Sequence, residues 1–185
     1  MGVAIREERM TVGDFVDWIP DGEKWELIGG IPVQAMGESA LHEAVKSNVH
    51  GALARRLRPP SPCRPAVDGR LVQVDDYTSY RPDAHINCAP FGEAMEPLIE
   101  QPTVVFEVSV TSLEHDRYGK RPNYFRHPAI EHVVVVNAVE QVAYHYRRGS
   151  GQEVMLGFHD TLTIDGTAAL DIPVAEFFEF LPEGR

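Results

Sequence analysis

Apolar residues recur at intervals of three and four from residue 39 to residue 57, at Leu41, Val45, Val49, Ala52, Leu53 and Leu57. This spacing predicts the longest amphipathic helix of the chain. Residues 103–110 and 133–137 are instead nearly continuous apolar runs rich in β-branched side chains, the pattern of strands covered on both faces. Shorter strands are expected at 71–74 and 84–87. Residues 141–147 alternate, and 153–157 and 162–164 are expected to extend the same antiparallel region. Ahead of the long helix, residues 25–28 and 31–35 flank Gly29 and Gly30, a two-residue turn of a hairpin, with Pro32 placing its strand at an edge or beside a bulge. Thr11 opens a short capped helix that Pro20 stops, and a last short helix is expected at 174–180. Helix, hairpin, long helix, strands, an irregular or helical segment and more strands make an α/β fold with a mixed sheet.

At 185 residues, with 43% hydrophobic and 24% charged residues, the chain is expected to form one domain spanning 1–185. The Pro59-Pro60-Ser61-Pro62 piece reads as a stiff loop within it. No apolar run nears the roughly 18 residues of a membrane span, and MGVAIREERM lacks a signal-like apolar stretch, so a cytoplasmic address is expected. Cys63 and Cys88 make neither a disulfide framework nor a metal spacing, and are expected to be idle thiols. The net charge of −11 speaks against a general nucleic-acid coat. Only residues 55–58 (RRLR) and 117–126 (RYGKRPNYFR) are basic clusters. No Gly-rich loop follows the apolar strands as in dinucleotide or P-loop sites, and no short-spaced histidine pair suggests zinc.

Two acids stand out. Asp83 follows Pro82 at the entrance of a strand, and Glu107 is a single carboxylate inside an apolar one. A lone ionised carboxylate within a sheet costs several kcal/mol unless a cation or strong donors compensate. Two carboxylates on neighbouring strands repel each other, and a hard divalent cation relieves that repulsion while orienting water. The pair therefore suggests a magnesium-type site. From the residues alone, Glu107 is equally compatible with a solvent-facing strand end or an arginine partner, and Asp83 with an ordinary turn or cap.

In order and spacing, Glu26 in Trp25-Glu26-Leu27-Ile28-Gly29-Gly30, His42 at the start of the long helix, Arg81-Pro82-Asp83, Glu107-Val108-Ser109, Asp116, Lys120 and Tyr124 resemble the Uma family of restriction-endonuclease-like proteins, from about Met10 to Arg148. The resemblance implies the PD-(D/E)XK nuclease core, a mixed sheet flanked by helices, with Asp83 and Glu107 holding Mg2+ or Mn2+. The motif's common lysine, two residues after the glutamate, is Ser109 here. The family's usual answer is a lysine on the following helix, and Lys120 fits that place, with Lys46 on the long helix as the substitute. Lys120 would hold the attacking water or the charge growing on the phosphoryl oxygens. Asp116, Lys120 and Tyr124 would share one helix face, unless Pro122 starts the helix and leaves Lys120 on a loop, or Asp116 and Lys120 form a plain ion pair. Glu26 and His42 would support the site, Glu26 by reaching a second metal or its water.

The function so implied is metal-dependent endonucleolytic hydrolysis of DNA, with nucleic acid as partner and a homodimer as the expected assembly. The alternative is a nuclease-fold module with weak or no catalysis that binds nucleic acid or protein. RNA or branched substrates are also compatible.

Overall fold

The computed structural model describes residues 9–20, 22–35, 38–90 and 97–182. Helix α1 (Val12–Trp18) opens with a reciprocal cap, in which the Thr11 hydroxyl receives the Asp14 N–H and the Asp14 carboxylate receives the Thr11 N–H. Strands β1 (Trp25–Ile28) and β2 (Ile31–Gln34) form the hairpin, with Gly29 and Gly30 at φ 59° and 88°, where a side chain would be strained. Pro32 lies on β2, an edge strand as expected. Helix α2 (Ala40–Arg56) is capped by Ser39, whose hydroxyl receives the His42 N–H.

Next come β3 (Arg64–Val67), β4 (Val72–Asp75), β5 (Thr78–Tyr80), β6 (Ala84–Asn87) and β7 (Pro102–Ser109). A six-residue π-helical turn (His115–Lys120) runs into α3 (Arg121–Tyr124), followed by β8 (His132–Asn137), β9 (Val142–Arg147), β10 (Glu153–Leu156), β11 (Thr161–Ile164) and β12 (Leu170–Pro173). The expected final helix is a 3-10 segment, Val174–Phe178.

Six strands make the central sheet in the order β10-β9-β8-β7-β6-β3, with β7 and β8 parallel and the other pairs antiparallel. Strands β2-β1-β5-β4 form a second sheet. The residue 162–164 strand does not extend the main antiparallel region as expected; β11 pairs with β12 in a separate ribbon. All eight residues of β7 are buried, because both its faces are covered. Val104, Phe106 and Val108 pack with Val45, Val49 and Leu53 of α2, whereas Val105 packs with Val72, Tyr80 and Tyr124.

Contrary to expectation, Cys63 and Cys88 are not idle thiols but form a disulfide. Arg64 pairs with Asn87 in the β3–β6 ladder, so the next rung sets the two cysteines opposite each other, with Cα atoms 4.0 Å apart. Much of the basic clusters is also paired. Arg55 and Arg56 pair with Glu176, and Arg117 pairs with Glu153. No helix among the described residues is long and apolar enough to cross a membrane.

Candidate active site

Glu107 is 3% exposed and is the single ionisable residue of β7. Strand alternation turns it to the side of Val105, toward α3. There the Tyr124 hydroxyl donates to Glu107 Oε1 at 2.5 Å, and Lys120 Nζ donates to the same oxygen at 3.4 Å. Among the described residues nothing donates to Oε2, and Glu107 lines a cleft of about 430 Å³. Lys120 Nζ also donates to Glu26 Oε1 at 2.8 Å, and the Arg81 N–H reaches that oxygen at 3.0 Å. One lysine thus ties the hairpin to the central strand.

Burial pushes the Glu107 carboxyl well above the usual carboxylate range; the Lys120 charge pulls it down, while Asp83, Asp116 and Glu26 add to the rise. For Lys120 burial opposes the charge, but the Glu107 and Glu26 carboxylates outweigh it, and the Glu26 hydrogen bond keeps the ammonium above its ordinary range. Burial, then the charges of Glu107 and Glu26, hold the Tyr124 hydroxyl protonated, so it remains a donor.

Lys120 is not on a loop before the helix. Pro122 has no N–H to give the preceding turn, and the chain makes a π-helical turn there, closed by the Arg121 N–H on the Asp116 carbonyl. Asp116 does not pair with Lys120 either. Its buried carboxylate receives the Ser109 hydroxyl and, at 2.6 Å, the Ser112 hydroxyl, pinning the turn to the end of β7.

From the other side, α2 brings His42. Its Nε2 lies 3.3 Å from Asp83 Oδ2 and its Nδ1 lies 3.4 Å from Glu38 Oε2. Asp83 directly precedes β6, and the Ala84–Phe106 register sets it opposite Glu107; its Oδ2 receives the Val108 N–H at 2.7 Å. Burial works to lower the His42 pKa, but the hydrogen bond and charge of Asp83, with the charge of Glu38, raise it above the ordinary value. Burial alone would raise Glu38, yet Lys24 and Lys46 bring it down to about 2.

Asp83, Glu107, Lys120, Glu26, His42 and Asp116 all line the cleft, and Tyr124 stands behind Glu107. Reading from sequence missed Glu38, Lys24 and Asp68, which line it too. A signal for Glu38 existed. Glu38, His42 and Lys46 are spaced by four residues, but Glu38 sits just before the cap, where a loop acid attracts no notice.

A divalent cation fits this donor set. Glu38, His42 and Asp83 each offer one atom within 4.8 Å of the others' atoms. The buried His42 Nδ1 has no hydrogen-bond partner among the described residues, and Glu107 lines the same cleft.

A mixed sheet with acids converging from adjacent strands, and a lysine delivered by the following helix, defines a restriction-endonuclease-like protein. The chain belongs to the Uma2 family, described as "Putative restriction endonuclease", whose profile matches residues 12–175. Its fold is similar to that of a crystal structure from Anabaena variabilis, titled as "a putative nuclease belonging to DUF820", with TM-score 0.75 and 17% identity, over 91% of this chain and 97% of that one. No protein with a curated description matches the chain.

Proposed function

We propose that the protein is a metal-dependent endonuclease that hydrolyses phosphodiester bonds in DNA. The observation that carries this reading is the convergence of Lys120 and Tyr124 on one oxygen of the buried Glu107, which lines a cleft shared with Asp83 and His42. Asp83 and Glu107 would hold the cation, Mg2+ or Mn2+, with His42 and Glu38 completing its surroundings. When bound, the cation supplies Lewis acidity toward a phosphoryl oxygen and lowers the pKa of water. The Lys120 ammonium places a fixed positive charge where negative charge grows on the phosphoryl group. Glu26 holds that ammonium in place, and the Tyr124 hydroxyl fixes the Glu107 carboxyl through Oε1. A homodimer would supply two such sites for the two strands of a duplex.

The largely paired basic clusters favour a second reading, a nuclease-fold module without catalysis. Nicking of supercoiled plasmid separates the two. Under the enzyme reading, Mg2+ or Mn2+ supports nicking, EDTA stops it, and Asp83→Asn and Lys120→Met each lower the rate by roughly a hundredfold or more. DNA binding without nicking leaves the module. Absence of both binding and nicking removes the enzyme and the nucleic-acid-binding module, and leaves only a module that binds protein.

A further inference from the structure

Four side chains beside the cleft form a closed ring of alternating charge. Lys24 Nζ lies 2.6 Å from Glu38 Oε1 and 3.3 Å from Asp68 Oδ1, while Lys46 Nζ lies 3.0 Å from Asp68 Oδ2 and pairs with Glu38 Oε2. The members come from four separate segments: the residue before β1, the loop before α2, α2 itself and the turn after β3. Three of the four line the cleft, with Lys46 behind them. The Lys24 side chain is 41% exposed, and ion pairs this accessible contribute little to stability. The Lys24 pairs stabilise little, whereas those of Lys46 are largely buried, and the place of the Lys24 ammonium on the cleft lining invites a functional explanation.

Glu38 belongs to two groups at once. In the ring it is a counter-ion to both lysines, and beside His42 and Asp83 it is one of the atoms that could hold a cation. We propose that Lys24 is a phosphate-holding residue of the cleft, with Lys46 adding positive charge from behind it, the two kept neutral by Glu38 and Asp68 until a divalent cation draws Glu38 toward His42 and Asp83. The proposal rests on the nuclease reading of the cleft. With Glu38 in place the ring is neutral; with Glu38 engaged by a cation, two ammonium groups share one carboxylate and carry a net positive charge. Linkage makes the effect reciprocal, because phosphate held by Lys24 loosens Glu38 and favours the cation. Of the other cations, Lys120 is held by Glu26 and Glu107, and Arg55 and Arg56 by Glu176, whereas Arg81 also lines the cleft and donates to the Gly69 carbonyl.

The test measures binding of a short fluorescein-labelled DNA duplex by anisotropy, with and without Ca2+, across a salt series. The wild type should tighten by about tenfold on adding Ca2+, equivalent to about 1.4 kcal/mol. The Lys24→Gln/Lys46→Gln variant should lose most of that tightening, and its slope of log K against log salt should fall by about 0.9 for each lysine removed. A merely structural ring would leave the slope where it was. Lys46→Arg, which keeps the charge, should restore it. Glu38→Gln should strengthen metal-free binding in the wild-type background and not in the double variant. Should the double variant fail to fold, the exposed Lys24→Gln alone carries the slope test at about half the effect. A double variant with the wild-type slope and the wild-type response to Ca2+ overturns the proposal while leaving the nuclease reading intact. A wild type that neither binds nor cuts DNA overturns both.

Discussion

A carboxyl whose folded pKa has been pushed up costs stability at neutral pH, and Glu107 is such a group. The native state holds its proton more tightly than the unfolded chain does. The stability this confers is complete below the ordinary value of 4.5 and is lost as pH rises through the folded value. In the metal-free protein at pH 7, Glu107→Gln keeps the shape and the Tyr124 hydrogen bond while removing that cost, and Lys120 retains Glu26. The expected outcome is a melting temperature equal to or slightly above wild type, together with loss of nicking and of any rise in melting temperature on adding Mn2+. If Glu107 were instead one half of a structural ion pair, the variant would lose about 3–5 kcal/mol, roughly 6–20 °C in a chain of this size. Melts of both proteins, with and without Mn2+, separate the two. Tyr124→Phe removes one donor from the same buried acid, and a cost of about 1–3 kcal/mol is expected for the hydrogen bond it forfeits. Unchanged stability in the Tyr124→Phe variant would mean that the Tyr124–Glu107 bond contributes nothing.

The element that delivers Lys120 is the π-helical turn, and what fixes it is Asp116 with its two serine donors rather than helix propensity. Ser109→Ala leaves that buried carboxylate short of a donor, at about 1–3 kcal/mol. The effect should be local: amide exchange in residues 116–121 should accelerate while β7 and β8 keep their protection. Unchanged exchange there would dissociate Asp116 from the placement of Lys120. Elements of this length are also where sequence reading runs out. Helix α2 and strands β7 and β8 were legible because each is long and its apolar pattern is unbroken, and of the candidate residues Glu107 stood out within β7 as a lone carboxylate. Glu26, His42, Asp116, Lys120 and Tyr124 were named from motif order. Strand β3 was not legible, since Arg64 and Pro65 read as loop after the proline-rich piece, and β5 has only three residues. Missing β3 hid the partnership of Cys63 and Cys88, because only the β3–β6 register brings them together. Glu38, Lys24 and Asp68 escaped for a related reason: each lies in a connection, and only the tertiary fold closes their ring.

Across the whole molecule, neutral buried histidines and paired carboxylates respond to acid in successive ranges. Burial first, then Arg70 and Arg64, lower His85 to about 4, and burial with His132 brings His145 to the same value. A base whose folded pKa is depressed leaves the unfolded chain to take the proton first, so stability falls as pH drops from 6.5 to about 4 and levels below. Glu38 and Glu176 act over the next range. Glu176, held by hydrogen bonds from Arg56 and Arg55, and Glu38, held by Lys24 and Lys46, both sit at about 2, so what they contribute is present above 4.5 and lost as pH falls through about 2. Glu107 runs the other way, regaining stability as it takes its proton. The net expectation is a urea midpoint that declines from pH 7 to pH 4 chiefly through the histidines, then more steeply toward pH 2 as the carboxylate pairs dissolve. His85→Leu distinguishes the stages. Its ring Nδ1 is buried without a hydrogen-bond partner among the described residues, so leucine removes a titrating group and an unsatisfied nitrogen together. The variant should lose less stability than wild type between pH 7 and pH 4, and the same amount as wild type between pH 4 and pH 2. An identical decline in both proteins over the upper range would show that His85 takes its proton as readily folded as unfolded, and would remove it from the acid response.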